Sequence, residues 1–204
     1  MLSLYHTPES RSSRIIWLLE ELGLDYNLVH CEIQLSDGIG STDPKNPHPE
    51  KRVPALVHDG RLVTEQSAIA LYLTDAFPNP ELGVRIGDAA RAPYLSWLVF
   101  YASEVDPLYK ARKYYRGRLH PKTIKDSLRV VSRVSDALVK GPFLLGDRFS
   151  AADILVSGPL EWSLAWDPDY VSESEPIMSW LKRLADRPAA SRALVLDKPS
   201  QVTG

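Results

Sequence analysis

The chain contains a single cysteine among its 204 residues, and this scarcity limits the chemistry available to it. Cys31 has no second cysteine with which to form an intrachain disulfide or a Cys-x-x-Cys redox pair. The alternating residues from Tyr26 to Ile33 predict a strand, and a lone cysteine in or just beyond a strand is more often a small buried hydrophobic residue than a nucleophile. The lack of disulfides suits a reducing compartment, so the sequence predicts a cytoplasmic protein.

The sequence also lacks a strong charge of either sign and any long apolar run. Its formal net charge is −2 and its pI is near 6.2, which disfavours nucleic acid and anionic membranes as partners. No apolar run approaches the roughly 20 residues of a membrane span, and Met1–Leu4 is expected to enter a strand rather than a signal peptide. The five histidines show no spacing typical of metal ligands, so we expect no metal.

The most informative stretch of the sequence begins at Pro54. This proline opens a short apolar run, Asp59-Gly60 interrupts it, and a second apolar run follows. Asp-Gly between two such runs predicts a hairpin, because both central positions of a tight primed turn favour positive φ. Pro54 cannot donate a ladder hydrogen bond, so it must lie at the first residue of its strand or on an edge.

A helix start follows the hairpin directly. Glu65, Gln66 and Ser67 precede apolar residues at helical spacing, and an acid in the first turn is favoured by the helix dipole. Polar side chains and backbone N–H groups at such a start can receive a ligand carboxylate. The strand entry at Pro54 beside them could pair with an extended peptide by β-addition.

A strand, a loop and a helix are also predicted at the N-terminus. Leu2–Tyr5 alternates as a short strand, and apolar residues recur at helical spacing from Ile15 to Leu22. Ser10 and Ser12 lie where this helix begins. By position alone, one of them is an N-cap. The functional interpretation is that a serine hydroxyl donates a hydrogen bond to a bound thiolate, which the helix N-terminus also stabilises.

Two motifs of this N-terminal half resemble the glutathione S-transferase family. The first is Val-Pro-Ala-Leu at residues 53–56, followed by the helix that starts near Glu65. The second runs from Tyr5 to Gly23 and is similar to the first strand and helix of bacterial and fungal members. The resemblance implies a thioredoxin-like α/β N-terminal domain and an all-α helical C-terminal domain. The corresponding expected boundaries are 1–78 for the first domain, 79–87 for a linker and 88–204 for the second domain.

Beyond the linker, nearly every pattern is helical. Helices are predicted from Asp88 to about Arg116, from Lys122 to Val139 and, last in the chain, from about Glu175 to Asp186. Ser150 and Asp153 predict a capping box, with Phe149 and Ile154 at the staple positions. This stretch looks like the buried helix start in the second domain of the family, and we assign it no chemistry.

The resemblance also assigns the catalytic residue. Ser10 falls on the serine that activates the thiol in serine-type members, Ser12 is the second choice, and Tyr5 is the third. Arg11 stands where the cysteine-type bacterial class has its cysteine. In the family the proline at the Pro54 position is cis, and the residue before it, here Val53, pairs main chain to main chain with the cysteine of glutathione.

The remaining glutathione contacts follow from the same resemblance. Arg52 and Lys51 could meet the glycyl carboxylate, with solvated loop charges as the alternative. Lys51 also stands where a glycine is common in the family, so the turn before Arg52 could differ. Glu65 suits the γ-glutamyl ammonium. Gln66 stands where the family usually has serine or threonine, so the γ-glutamyl carboxylate is bound either by Gln66 or, in a shifted register, by Ser67.

The resemblance therefore implies a homodimeric glutathione S-transferase with glutathione as co-substrate and no metal. Its thiolate would attack a small apolar electrophile in a pocket between the domains. The aromatic stripe of the helix predicted from Asp88 is usually core, but its members Tyr101, Tyr109 and Tyr114 could instead line such a pocket. Two alternatives stay open: a non-catalytic dimeric interaction module of the same fold, and a glutathione-dependent peroxidase.

Overall fold

The structure is a computed structural model that describes residues 1–34, 38–79, 81–115 and 118–198. Pro80, in the predicted linker, lies outside these ranges. Arg116, at the predicted end of a helix, lies outside them as well. The chain forms two compact units. The first unit contains Met1–Phe77 together with the segment from Arg187 onward, and the second contains Pro78–Asp186.

The first unit is built on a mixed four-stranded sheet with the strand order β2-β1-β3-β4. Its strands are β1 (Leu2–His6), β2 (Asn27–His30), β3 (Ala55–His58) and β4 (Arg61–Thr64). Strands β1 and β2 are parallel, and the other neighbours are antiparallel. Helix α1 (Ser13–Leu22) connects the parallel pair, and α2 (Gln66–Ala76) follows β4. The fully buried core of this unit includes residues from the sheet and both helices: Leu4, Leu56, Ile15, Leu18, Ile69 and Leu73.

The hairpin between β3 and β4 confirms the turn predicted at Asp59-Gly60. The φ angles of Asp59 and Gly60 are 48° and 77°, and His58 pairs with Arg61 across this two-residue loop. Pro54 directly precedes β3, and the peptide bond between Val53 and Pro54 is cis, as the family resemblance implied.

Helix α8 (Pro188–Leu196) is an element that the sequence interpretation missed, because it placed the last helix at 175–186. Helix α8 packs on α1 within the first unit. Arg187 donates to both carboxylate oxygens of Glu21 at 2.5 and 2.8 Å, and Arg192 Nε donates to Glu20 Oε2 at 2.7 Å. The structure groups α8 with the first unit, whereas the predicted helical domain ran from 88 to 204.

The regular secondary structure of the second unit is helical in its described residues, apart from two isolated β-bridges, Phe143–Gly146 and Leu145–Arg148. Its helices are α3 (Arg91–Phe100), α4 (Asp106–Tyr114), α5 (Pro121–Leu138), α6 (Ala151–Ser163) and α7 (Glu175–Ala185), with a π-helical turn at Tyr101–Val105 and a 3₁₀ turn at Pro168–Tyr170. Within the stretch predicted as a linker, 79–87, residues 82–84 pack into this unit. Leu82, Gly83 and Val84 are buried, and the Leu82 carbonyl accepts a hydrogen bond from the Ala151 N–H at 3.0 Å.

The capping box at the start of α6 is confirmed. The Asp153 carboxylate accepts hydrogen bonds from the Ser150 N–H at 2.9 Å and the Ser150 hydroxyl at 3.0 Å. It also accepts from the Leu144 N–H at 2.9 Å and from Trp180 Nε1 at 3.1 Å. The Asp153 side chain is fully buried, and this burial raises its pKa to about 6 against the opposing effect of the four donors.

No helix in the described part of the chain combines the length and the apolar character that a membrane span requires.

Candidate functional site

Ser10 lies in the loop between β1 and α1, and its side chain is half-buried. Its hydroxyl donates to the Thr7 carbonyl at 2.7 Å and lies 2.6 Å from the hydroxyl of Ser12. The Ser12 N–H donates back to Ser10 Oγ at 3.2 Å. Ser12 is fully buried, so of the two hydroxyls only that of Ser10 is placed to meet a ligand.

Ser12 occupies the N-cap position of α1, yet its side chain does not cap the helix. Its hydroxyl instead lies 2.8 Å from Nδ1 of His6, the last residue of β1. Ser12 Oγ also accepts the Thr7 N–H at 3.3 Å. His6 is fully buried, and burial, with a smaller effect of His30, lowers its pKa to about 4. The His6 ring is therefore neutral at pH 7.

Asp197, just after α8, lies on the other side of the His6 ring. Its Oδ1 is 3.4 Å from His6 Nε2 but does not meet hydrogen-bond geometry, and no described residue makes a hydrogen bond with that nitrogen. The carboxylate accepts instead from the Ser13 hydroxyl at 2.5 Å and from the Glu9 N–H at 3.4 Å. Partial burial raises the pKa of Asp197. Sequence interpretation missed both His6 and Asp197, because their contacts connect distant parts of the chain.

The start of α2 carries the residues predicted to hold the γ-glutamyl group. Glu65 is exposed and has a φ of 65°, in the left-handed region that a non-glycine residue rarely adopts. Gln66 is the first residue of the helix and is buried, and its Nε2 donates to the Arg11 carbonyl at 2.7 Å. Ser67, the next residue, is half-buried. Gln66 therefore ties the start of α2 to the loop that holds Ser10.

The approach to Pro54 is shaped by residues that the sequence interpretation did not single out. Asn46 is fully buried, and its Nδ2 donates to the Arg52 carbonyl at 3.0 Å. Its Oδ1 accepts the N–H of His48, which is also buried. The glycine that is common in the family before Arg52 is replaced by Lys51, which nevertheless adopts a left-handed φ of 54°. The lysine thus keeps a backbone conformation that a glycine would adopt readily.

The two cations of this loop differ in their surroundings. Lys51 Nζ donates to the Asn46 carbonyl at 2.7 Å and to the Pro44 carbonyl at 3.3 Å, so its ammonium stabilises the loop. Arg52 is exposed and forms an ion pair with Glu50 at 3.1 Å. Arg52 is consequently the better placed of the two to reach a ligand carboxylate.

The three tyrosines assigned to an electrophile pocket do not share one environment. Tyr101 and Tyr109 are buried within the second unit, whereas Tyr114 is exposed. The Tyr109 ring packs 5.9 Å from the Trp162 ring and 5.6 Å from the Trp166 ring, measured between centroids. This arrangement is typical of a packed aromatic cluster.

The first unit also contains Tyr5 and Cys31, two further residues discussed in the sequence analysis. Tyr5 lies in the middle of the sheet, opposite Val29 and Ala55, and is half-buried. Cys31 is buried as expected, and its burial raises the pKa of the thiol. A buried thiol with a raised pKa is a poor nucleophile. Among the described residues, no group of three or more His, Cys, Asp or Glu side chains could hold a metal ion.

A mixed sheet with a cis-proline before β3, two packed helices and a following helical unit define the glutathione S-transferase fold. The chain belongs to the glutathione S-transferase family: residues 4–81 match the family's N-terminal domain, and residues 102–188 match its C-terminal domain.

Similarity to known members extends over nearly the whole chain. Glutathione S-transferase GstA of Escherichia coli O157:H7 is 28% identical over 203 residues, which cover 95% of this chain and 97% of that protein. Disulfide-bond oxidoreductase YfcG of Escherichia coli K12 is 27% identical, with 96% and 95% covered.

Solved structures agree with this assignment. A glutathione transferase from Methylococcus capsulatus is 30% identical with a TM-score of 0.78, covering 97% of this chain and 98% of its own. The bacterial glutathione S-transferase BphK, solved as a ternary complex, is 27% identical with a TM-score of 0.82, covering 96% of this chain and 98% of its own.

Proposed function

We propose that this protein is a glutathione transferase whose Ser10 hydroxyl stabilises the thiolate of bound glutathione. The observation that carries the proposal is the position of Ser10: its hydroxyl is half-buried just before α1, and the buried Ser12 hydroxyl lies 2.6 Å behind it. Family membership and the similarity to GstA support the reaction class.

Lowering the pKa of the bound thiol requires only a modest free energy from Ser10. A free thiol has a pKa of about 8.5, and each unit by which the pKa falls corresponds to about 1.4 kcal/mol. A hydrogen bond to a charged acceptor contributes about 1.5–3 kcal/mol, so Ser10 could lower the pKa of the bound thiol by about 1 to 2. The N-terminus of α1 acts in the same direction.

The thiol proton leaves to solvent when the thiolate forms. The sulfur then uses its electron pair to form a bond to an electrophilic carbon of a small apolar substrate, and the leaving group departs with the electron pair of the broken bond. The glutathione conjugate is the product. Such a reaction would suit a role in detoxification of apolar compounds in the cytoplasm.

The rest of glutathione would bind along the first unit. Glu65 receives the γ-glutamyl ammonium, and the first turn of α2 receives the γ-glutamyl carboxylate. Because Gln66 Nε2 donates to the Arg11 carbonyl, we favour Ser67 over Gln66 as the side chain that meets this carboxylate. The Val53 main chain next to Pro54 pairs with the cysteinyl residue. Arg52, with Lys51 in a supporting role, receives the glycyl carboxylate.

A homodimer is proposed as the assembly, since the family is generally dimeric. Light scattering at micromolar concentration tests it directly. A mass of twice 22.8 kDa is expected, and a monomer mass would contradict the proposal.

A second candidate function is glutathione-dependent disulfide reduction, which the similarity to the disulfide-bond oxidoreductase YfcG favours. In that reaction the thiolate beside Ser10 would attack a disulfide sulfur of the substrate and release the other sulfur as a thiolate. Because Cys31 is buried, glutathione itself would have to supply the attacking sulfur.

The experiment combines retention on immobilised glutathione with three turnover assays on the same preparation. The electrophile is a chlorodinitrobenzene, the disulfide is hydroxyethyl disulfide, and the peroxide is cumene hydroperoxide. Conjugation of the electrophile is the expected result. Turnover of only the disulfide or only the peroxide would replace the proposal with that activity. Retention without turnover of any substrate would identify a non-catalytic binding module.

A further inference from the structure

We propose that His6 and Ser12 are positioning residues that turn the Ser10 hydroxyl toward the sulfur of bound glutathione. The proposal rests on the proposed function, because it explains how Ser10 is kept ready to donate. It assigns a role to a histidine and a serine that are both fully buried, whereas Ser10 is half-buried.

The need for such residues follows from the single proton of the Ser10 hydroxyl. Two acceptors within the protein compete for it, the Thr7 carbonyl at 2.7 Å and the Ser12 hydroxyl at 2.6 Å. A hydroxyl group donates only one hydrogen bond. If Ser10 donates to Ser12, its proton points into the protein and away from the ligand.

In one arrangement of the hydroxyl and imidazole protons, Ser10 can donate to the thiolate. When Ser10 donates to the thiolate, the 2.6 Å contact between the two hydroxyls still needs a proton, which only Ser12 can supply. Ser12 then has no proton for the 2.8 Å contact to His6, so His6 must donate from Nδ1. The contacts from His6 to Ser12, from Ser12 to Ser10 and from Ser10 to the thiolate are thus satisfied by three protons. In this arrangement the Thr7 carbonyl gives up the hydrogen bonds that it could accept from Ser10 at 2.7 Å and from Ser12 at 3.3 Å.

The surroundings of His6 are compatible with this arrangement. A neutral imidazole carries one proton, and the ring nitrogen that lacks it needs no acceptor. Nε2 of His6 makes no hydrogen bond with any described residue, and the nearby Asp197 carboxylate accepts instead from Ser13 and from the Glu9 main chain. The other titratable ring beside His6 is that of His30, with a centroid distance of 5.3 Å. We place the proton of His6 on Nδ1, because that nitrogen has the 2.8 Å contact to Ser12 whereas the 3.4 Å approach of Asp197 to Nε2 is not a hydrogen bond.

The opposite tautomer of His6 would turn the Ser10 hydroxyl away from the thiolate. With the proton on Nε2, Ser12 would donate to His6 Nδ1, and the proton in the short contact between the hydroxyls would have to come from Ser10. The thiolate would then lose its hydrogen bond from Ser10. The tautomer of His6 thus decides the direction in which Ser10 donates.

The test uses the full-length protein with glutathione bound, and follows the thiolate by its ultraviolet absorbance as pH is varied. Ser12→Ala removes the donor to Ser10 Oγ and leaves the Thr7 carbonyl to compete for the Ser10 proton, and His6→Leu removes the donor to Ser12. Both variants should therefore raise the pKa of the bound thiol and lower kcat at neutral pH roughly 5- to 10-fold. The KM for glutathione should stay unchanged, and the loss of kcat should vanish at alkaline pH. His6→Asn, whose amide can donate from near the Nδ1 position, should recover most of the activity. Ser96→Ala, on an exposed face of α3, is the matched control.

A double-mutant cycle separates positioning from a structural role. In the Ser10→Ala background, Ser12→Ala should have no additional effect on the thiol pKa, because Ser12 acts only through Ser10. Full additivity would overturn the proposal. If Ser10→Ala itself leaves the pKa of the bound thiol unchanged, serine activation fails as well, which distinguishes the two failures.

One measurement needs no substitution and is independent of variant folding. Long-range ¹H–¹⁵N NMR of the glutathione complex reports which nitrogen of His6 carries the proton. A proton on Nδ1 is expected, and a proton on Nε2 would overturn the proposal.

Discussion

Gln66 on α2 donates a 2.7 Å hydrogen bond to the main-chain carbonyl of Arg11, in the loop before α1. Arg11 is flanked by Ser10 and Ser12, so this bond connects the predicted γ-glutamyl site with the predicted thiol site. The position that usually carries serine or threonine in the family is thus occupied by a residue with a structural contact. The proposed roles of Gln66 and Ser67 in binding the γ-glutamyl carboxylate can be distinguished experimentally.

Ser67→Ala should weaken glutathione binding, and thermal unfolding reports any accompanying change in the melting temperature. Loss of one hydrogen bond to a carboxylate corresponds to about 1.5–3 kcal/mol, or roughly 10- to 150-fold in Kd. Isothermal titration calorimetry and thermal unfolding on the same samples measure both quantities. An unchanged Kd would assign the carboxylate to Gln66 instead.

Gln66→Ala should lower both stability and glutathione affinity. Its amide is buried and holds the Arg11 carbonyl, so its loss leaves a polar group without that partner, at about 1–3 kcal/mol. Chemical denaturation and calorimetry check the two effects. A variant with wild-type stability would show that the hydrogen bond to Arg11 contributes little.

Ser10→Ala should lower turnover at neutral pH roughly 10- to 150-fold, because about 1.5–3 kcal/mol of thiolate stabilisation is lost. The Kd for glutathione should change little, and the defect should shrink as pH rises past the pKa of a free thiol. Comparing the pH–rate profiles of the Ser10→Ala variant and the wild type measures this effect. A lowered melting temperature with an unchanged pH–rate profile would show that Ser10 has only a structural role in the loop before α1.

Asp153→Ala should destabilise the protein by at least about 3 kcal/mol, since four buried donors lose their acceptor together. Asp147→Ala is the matched control, because Asp147 is an exposed acid in the same connection between α5 and α6. Denaturant titration measures the free energy of unfolding of both variants. Equal losses in the two variants would contradict the role of the buried carboxylate.

The pH dependence of stability should carry a contribution from His6. Its pKa is about 4 in the folded protein and near 6.5 when the chain is unfolded, so the unfolded state takes up the proton first as pH falls. Stability contributed by His6 is therefore present above pH 6.5 and is lost toward pH 4, by about 3 kcal/mol. Asp153, whose pKa is raised to about 6, acts in the opposite direction.

The difference between wild type and His6→Asn isolates this contribution. The free energy of unfolding should fall less steeply in the variant between pH 6.5 and pH 4, the folded-state value for His6. His120→Asn serves as control, because His120 is exposed. Parallel curves for wild type and His6→Asn would show that His6 does not titrate as described.

The sequence by itself determined the elements that depend on neighbouring residues. Asp59-Gly60 predicts the hairpin because positive φ is a local preference, and the capping box at Ser150 depends on a partner only three residues away. Family resemblance added the cis bond before Pro54, which the structure contains, and the assignment of Ser10 as the thiol-activating residue, which stays a prediction.

Tertiary structure alone decided the contacts between distant residues. Helix α8 has only a weak local signal, a proline at its first position, and it is held by the pairing of Arg187 and Arg192 with acids on α1. The contact between His6 and Ser12 depends on how β1 and the start of α1 are placed, and the approach of Asp197 to His6 depends on the packing of α8 as well. Hydrogen bonds of this kind depend on where the folded backbone places each side chain, and local sequence patterns do not encode that placement.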